Sequence, residues 1–408
     1  LIMKRIRILT SQATPGMVIS DDVYTTANQL IIPAGTAISN KVITRLKFYS
    51  IHQITVSVDD GVEVPPAPSG TNQPSAKPEP EQTTAQPKPF VPPAAQTQPA
   101  TSTHPAPATA SRPRETQMYS EKVKNTPEFK AFSSSVEYST DHLRRQVLDI
   151  IRNNVPIAED ELLTDINDIL KNARNGMHVF DMLHSMRDFD DETYLHSVNV
   201  ALIANVLGRW MNFTERELDT LTLCGLLHDI GKLLIPPEII KKPTALSDTE
   251  NETLMSHPLR GYNILRAQKA NIHVQMSAMM HHERCDGTGY PLGIKGDQID
   301  RFAKIIMVAD VYEAMTAARV YRGPVCPFEV ISIFESEGLA KYDTRTVMTF
   351  LEHVNQTYMN NNVRLSDKSE GVIIMMNRTS LSRPVIHVGG DRFIDLSKEH
   401  DLYIEAIL

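Results

Sequence analysis

Two adjacent pairs of side chains could do chemistry in this chain: His228-Asp229, within LCGLLHDIGK, and His281-His282, which opens HHERCDGTGYP. Each pair lies where an apolar, helix-like stretch runs into a glycine-containing loop. An imidazole offers one ring nitrogen to a metal, whereas a carboxylate has two oxygens to share, so neighbouring His and Asp can serve two adjacent ions. The chemistry this suggests is metal-assisted hydrolysis.

Of the fourteen histidines, His196 and His257 join these three, each in or at the end of a helix-like segment. Acidic partners stand at Asp229, at Asp310, and at Glu192, which lies four residues before His196 and so on the same helical face. Asp310 is flanked by Val308, Ala309 and Val311. A carboxylate buried there would be costly unless a cation met it. A lone histidine on a helix is ordinarily a core or surface residue. It is the concurrence of an HD pair, an HH pair and single His and Asp residues in one helical body that argues for a shared site. So many nitrogen and oxygen donors exceed the needs of one tetrahedral zinc and predict two or three divalent ions held octahedrally.

The elements that must position these residues begin near residue 121 and end near Tyr358. STDHLRRQVLDIIRNN and AEDELLTDINDILKNARNG space apolar residues three and four apart, and Leu195, Val198, Leu202 and Val206 continue that spacing through TYLHSVNVALIANVLGRW. Ser247 and Glu250 form a capping box that predicts a helix running to His257, where Pro258 forces a break. AKIIMVADVYEAMTA and PFEVISIFESEG complete the helical body. Ahead of it, residues 1–60 alternate short β-branched segments with turns such as Pro33-Ala34-Gly35, and read as a small strand-rich domain with a helix near 41–49. Between Val64 and Pro113 lie 14 of the 26 prolines, a composition that cannot bury enough apolar surface to fold and predicts a flexible linker. GVIIMMN, RPVIHVG, RFIDL and LYIEAIL read as a short antiparallel sheet at the end. The expected organisation is therefore multidomain: a β-rich N-terminal domain at 1–62, a proline-rich linker at 63–118, a helical connector at 119–185, an all-α catalytic domain at 186–360 and a β segment at 368–408.

Bulk properties narrow the class. A net charge of -8 argues against binding a DNA or RNA polymer, which calls for a basic surface. Cys224, Cys285 and Cys326 are odd in number and form no CxxC, which fits neither a disulfide framework nor a zinc knuckle and suits a reducing cytoplasm. The apolar run Val372 to Met376 is far short of the roughly 20 residues that span a bilayer, and LIMKRIRILT lacks a signal-peptide core. The sequence thus predicts a cytoplasmic chain that does not enter a membrane.

HDIGK, HHERCDGTGYP and the downstream VADVYEAMTA together resemble the HD-GYP subgroup of the HD metal-dependent phosphohydrolases, over roughly Asp191 to Tyr358. Residues 1–60 resemble the small domain of unknown function often found before that domain. The resemblance implies hydrolysis of a cyclic dinucleotide second messenger, chiefly cyclic di-GMP to pGpG and onward to GMP, by a hydroxide shared between two metals. It implies His196, His228, Asp229, His257, His281, His282 and Asp310 as metal ligands, with Asp229 bridging two ions and Glu192 helping to hold a third. Iron or manganese is implied rather than zinc.

Lys232, four residues after His228, is expected to meet a non-bridging phosphate oxygen and offset charge developing in the transition state. Gly287, Gly289 and Tyr290-Pro291 would form a loop at the pocket rim, with Tyr290 towards substrate. Arg319 and Arg322 match basic positions that the family turns towards phosphate or guanine edges, which guanidinium groups suit. Where such proteins usually carry Asp before the first of these arginines, this chain has Ala318, which bears on base preference. Two other readings use the same residues: hydrolysis of 3'3'-cyclic GMP-AMP or another nucleotide, and a non-catalytic cyclic-dinucleotide sensor. The helices between Glu121 and Gly176 could pair with a second copy, and the N-terminal domain could engage a signalling partner.

Overall fold

The computed structural model describes residues 4–24, 30–39, 42–43, 46, 51, 53–58, 123–186, 193–317 and 325–408. The expected proline-rich linker, most of the helix near 41–49, and Glu192, Ala318, Arg319 and Arg322 lie outside the described residues. In the N-terminal region, β1 (Lys4–Leu9) and β2 (Val18–Ile19) both pair antiparallel with β5 (Gln53–Val58), and β3 (Val23–Tyr24) pairs with β4 (Leu30–Ile32). Ile8, Ile54 and Val56 are buried while Arg7 and Gln53 are exposed, the period-two burial of a sheet with one covered face.

The helical body comprises α1 (Pro127–Asn153), α2 (Glu159–Lys171), α3 (Gly176–Ser185), α4 (Thr193–Trp210), α5 (Glu215–Leu227), α6 (Asp248–Leu254), α7 (His257–Ala267), α8 (Ile272–Met280), α9 (Arg301–Thr316), α10 (Pro327–Ile333) and α11 (Thr344–Val354). Helix α4 is buried on nearly every side, from Val200 to Gly208 without interruption, as its apolar sequence requires. It packs against α5, α9 and α1 and so forms the axis around which the other helices are set. Phe180 ties α3 to this axis, stacked on Trp210 at 5.4 Å and edge-on to Tyr312 at 5.6 Å. No helix among the described residues is long and apolar enough to cross a membrane.

Two expectations need correcting. The helix capped by Ser247 and Glu250 ends at Leu254, not at His257, and His257 instead opens α7 with Pro258 in its first turn. Proline is well tolerated there because its missing N–H would have had no helical partner, so Pro258 marks a start rather than a break. At the C-terminus the antiparallel sheet has the order β10-β6-β7-β8-β9, with β6 (Asn362–Leu365), β7 (Glu370–Met375), β8 (Val385–His387), β9 (Phe393–Asp395) and β10 (Ile404–Ile407). Strand β6 was not expected, since its four residues NVRL carry too short an alternation to be seen without a partner.

One close approach decides the site. Between α5 and α7 the chain makes a 3-10 turn, Ile230–Leu234, and a Cβ on Gly231 would lie 2.0 Å from the His257 carbonyl oxygen and 2.5 Å from the Gly261 nitrogen. Only glycine lets the HDIGK turn press onto α7, and that contact brings Asp229 against His257. Gly231→Ala is therefore expected to destabilise the fold by about 1–3 kcal/mol, the usual cost of overpacking. Chemical denaturation checks this, and an unchanged midpoint would show that α7 yields to the methyl group.

Candidate metal centre

His196 lies in the first turn of α4, and His228 caps α5, followed by Asp229. His257 begins α7, His281 caps α8 with His282 next, and Asp310 sits in the interior of α9. The fold gathers these residues into two groups, Asp229 with His257, His281 and His282, and His196 with His228 and Asp310, the ligand atoms of each lying within 4.8 Å of one another. His282 is half-buried and the other six are buried.

Asp229 stands between the groups. Its Oδ1 lies 3.3 Å from His257 Nε2 and 3.4 Å from His281 Nε2, while its Oδ2 lies 3.3 Å from His228 Nε2 and 3.6 Å from His196 Nε2. Lys232 donates to Oδ2 at 2.5 Å.

The orientation of the rings bears on what the site could hold. His228 Nδ1 donates to the Gly225 carbonyl at 2.7 Å and His257 Nδ1 to that of Leu254 at 2.7 Å, while His281 Nδ1 faces the carbonyls of Ala278 at 3.0 Å and Ser277 at 3.1 Å. A carbonyl can only accept, so these nitrogens carry the proton and each Nε2 presents a lone pair inward. The Nε2 atoms of His257 and His281 are 3.2 Å apart. Two facing lone pairs repel unless a cation lies between them. His228 Nε2 and Asp229 Oδ1 are likewise buried without a hydrogen bond of good geometry among the described residues. Imidazole nitrogens and carboxylate oxygens in this arrangement fit a divalent metal ion.

Ionisation follows the same logic. Burial pushes the Asp229 carboxyl up, but its surroundings, first among them the Lys232 ammonium, outweigh it and hold the group well below the usual carboxylate range. Burial also opposes ionisation of Asp310, and the hydrogen bond from His196 outweighs it. His281 is pushed down to about 4, first by burial, and His282 also lies well below the usual imidazole value because of burial and the neighbouring His281. Both are thus neutral near pH 7 and able to bind a metal. His196 goes the other way: burial opposes its protonation, yet Glu313 and Asp310 raise it to about 10. Its Nε2 lies 3.2 Å from Asp310 Oδ1.

Two features were not legible beforehand. Glu313, buried in α9, accepts from His196 Nδ1 and from Asn199 Nδ2 at 3.1 Å, and so orients His196 from behind. The signal was its place three residues after Asp310, one turn along the same helical face. Tyr290 stacks on His282, with ring centroids 4.7 Å apart and planes 23° from parallel. The structure thus sets its ring against a candidate ligand.

The architecture is that of a helical HD domain, and residues 171–346 match the family model described as HD domain. HDIGK and the GYP loop, the motifs that resemble the HD-GYP subgroup, both lie within those residues. The chain is 33% identical over 204 residues to a cyclic di-GMP phosphodiesterase of Pseudomonas aeruginosa, a match covering 50% of this chain and 49% of that protein. It is 32% identical to a cyclic di-GMP phosphodiesterase of Thermotoga maritima, over 47% of this chain and 52% of the relative. It is 35% identical to 3'3'-cGAMP-specific phosphodiesterase 1 of Vibrio cholerae, over 41% and 39%. The chain spans about half the length of the first two relatives and less of the third.

A metal binding only the folded chain at 100 times its dissociation constant would stabilise it by about 2.7 kcal/mol. Chelation is expected to lower the melting temperature and manganese to restore it. Glu313→Gln should weaken metal binding about 10–100-fold, the usual effect of losing a carboxylate behind a ligating histidine, as read by metal titration.

Proposed function

We propose that this chain is a cytoplasmic, metal-dependent phosphodiesterase that opens a cyclic dinucleotide, with cyclic di-GMP the preferred substrate, pGpG the first product and GMP the second. The observation that carries this reading is the division of the Asp229 oxygens between two groups of inward-facing donors. Two divalent ions, iron or manganese, would be held by Asp229, His257, His281 and His282 on one side and by Asp229, His196, His228 and Asp310 on the other, with Glu192 contributing to a third. Bound ions would supply Lewis acidity and lower the pKa of water enough to make hydroxide available as a nucleophile near neutral pH.

The protein's own contribution is placement and charge. Lys232 keeps Asp229 ionised, and with its side chain a quarter exposed it reaches from the buried carboxylate towards solvent, where a non-bridging phosphate oxygen would lie. Arg319 and Arg322 would meet phosphate or guanine edges as bidentate donors. The N-terminal domain, at 1–62, would serve as the sensing or partner-binding unit. Hydrolysis of 3'3'-cyclic GMP-AMP is the second reading, supported by the name of the Vibrio cholerae relative and by Ala318.

Purified protein loaded with iron or manganese and given cyclic di-GMP and cyclic GMP-AMP in parallel tests both readings. Linear product from cyclic di-GMP at the higher rate is expected, and saturable binding of either nucleotide without product would leave a sensor. Asp229→Ala should abolish turnover and reduce bound metal. Lys232→Ala should slow turnover about 10²–10³-fold, as loss of one charge-stabilising donor does, with metal retained.

A further inference from the structure

Four of the five histidines in the centre have Nδ1 held by a carbonyl or by Glu313. His282 differs. No hydrogen bond of its ring is found among the described residues, and its orientation is set by ring packing against Tyr290, His281 at 4.1 Å and His257 at 4.9 Å. Tyr290 is the stacked member of that set.

The next residue in the chain after His282 grips the loop that carries Tyr290. Glu283 is fully buried, yet it is not among the clustered ligand candidates, because its carboxylate turns into the loop. Oε1 accepts from the backbone N–H of Leu292 at 2.6 Å and of Gly293 at 3.1 Å, and Oε2 from that of Ile294 at 3.2 Å. Three such donors stabilise a buried carboxylate that would otherwise be costly. On the near side of the loop, the Tyr290 N–H donates to the His282 carbonyl at 3.1 Å. A Cβ on Gly289 would lie 2.3 Å from Glu283 Cα, so the loop backbone rests directly on that of Glu283. Tyr290 is therefore fastened from both sides.

We propose that Glu283 is a positioning residue for the metal centre: by gripping residues 292–294 it seats the Tyr290 ring on His282, and the stack does for His282 what an Nδ1 hydrogen bond does for the other four histidines. The inference rests on the metal-centre reading above. It assigns the GYP loop to ligand orientation, with Glu283 acting through Tyr290 on the ion shared by Asp229, His257, His281 and His282.

The test is calorimetric titration of the chelator-stripped full chain with manganese, with bound metal counted by elemental analysis. Glu283→Gln keeps the shape but sets an amide against the backbone donors, and should weaken one ion about 10–100-fold while the others bind as in the parent. Tyr290→Ala should reproduce that selective loss and Tyr290→Phe should not, since the ring and not the hydroxyl makes the stack. In a His282→Ala background, Glu283→Gln should have no further effect on that ion. Parental affinity for every ion in Glu283→Gln or Tyr290→Ala, an equal loss in Tyr290→Phe, or an additive loss with His282→Ala would overturn the proposal. Should Glu283→Gln fail to fold by circular dichroism, the two Tyr290 variants decide the question. The outcome is separable from the hydrolase reading, whose failure would appear as absence of turnover with all ions bound.

Discussion

Everything around the centre depends on one buried carboxylate shared between two sets of imidazoles. Asp229 is 2% exposed and ionised, held in that state chiefly by Lys232 against its own burial. A buried charge that loses its partner typically costs about 3–5 kcal/mol, so the fold must supply counter-charge from several directions at once. It does so by ending helices at the same place. Helices α5 and α8 finish at His228 and His281, and α7 begins at His257. The 3-10 turn after Asp229 can lie against α7 because Gly231 carries no side chain.

Around this carboxylate the histidines are fixed by two physical means. Most have the outward nitrogen committed to a backbone carbonyl, which costs the protein no additional side chain and sets the tautomer by geometry alone. His196 has a carboxylate, Glu313, in that place. A carboxylate makes the imidazole a stronger donor than a carbonyl does, and it adds negative charge to the half of the centre that already holds Asp310. The two halves are thus chemically unequal: three imidazoles face one Asp229 oxygen's side, and two imidazoles with a further carboxylate face the other's.

Much of this was legible in the sequence for reasons that are local. The HD and HH pairs, the apolar periodicity through α4 and the capping box at Ser247 are written in spacings of one to four residues, which are the spacings a helix reads. The C-terminal sheet was visible in its alternating apolar segments, apart from β6, whose assignment needs β7 and β10 beside it. Pro258 misled because a proline is compatible with either end of a helix boundary, and only the helix that follows shows which.

The sequence by itself determined the donor chemistry, the helical body and the family to which its motifs point, because ligand type and helical period are properties of the chain. The tertiary structure alone decided which donors share an ion, which Asp229 oxygen faces which group, and that Glu313, 117 residues from His196, stands behind it. It also turned Tyr290 onto His282. These depend on the angles and depths at which helices far apart in sequence meet, and packing, not spacing, sets those.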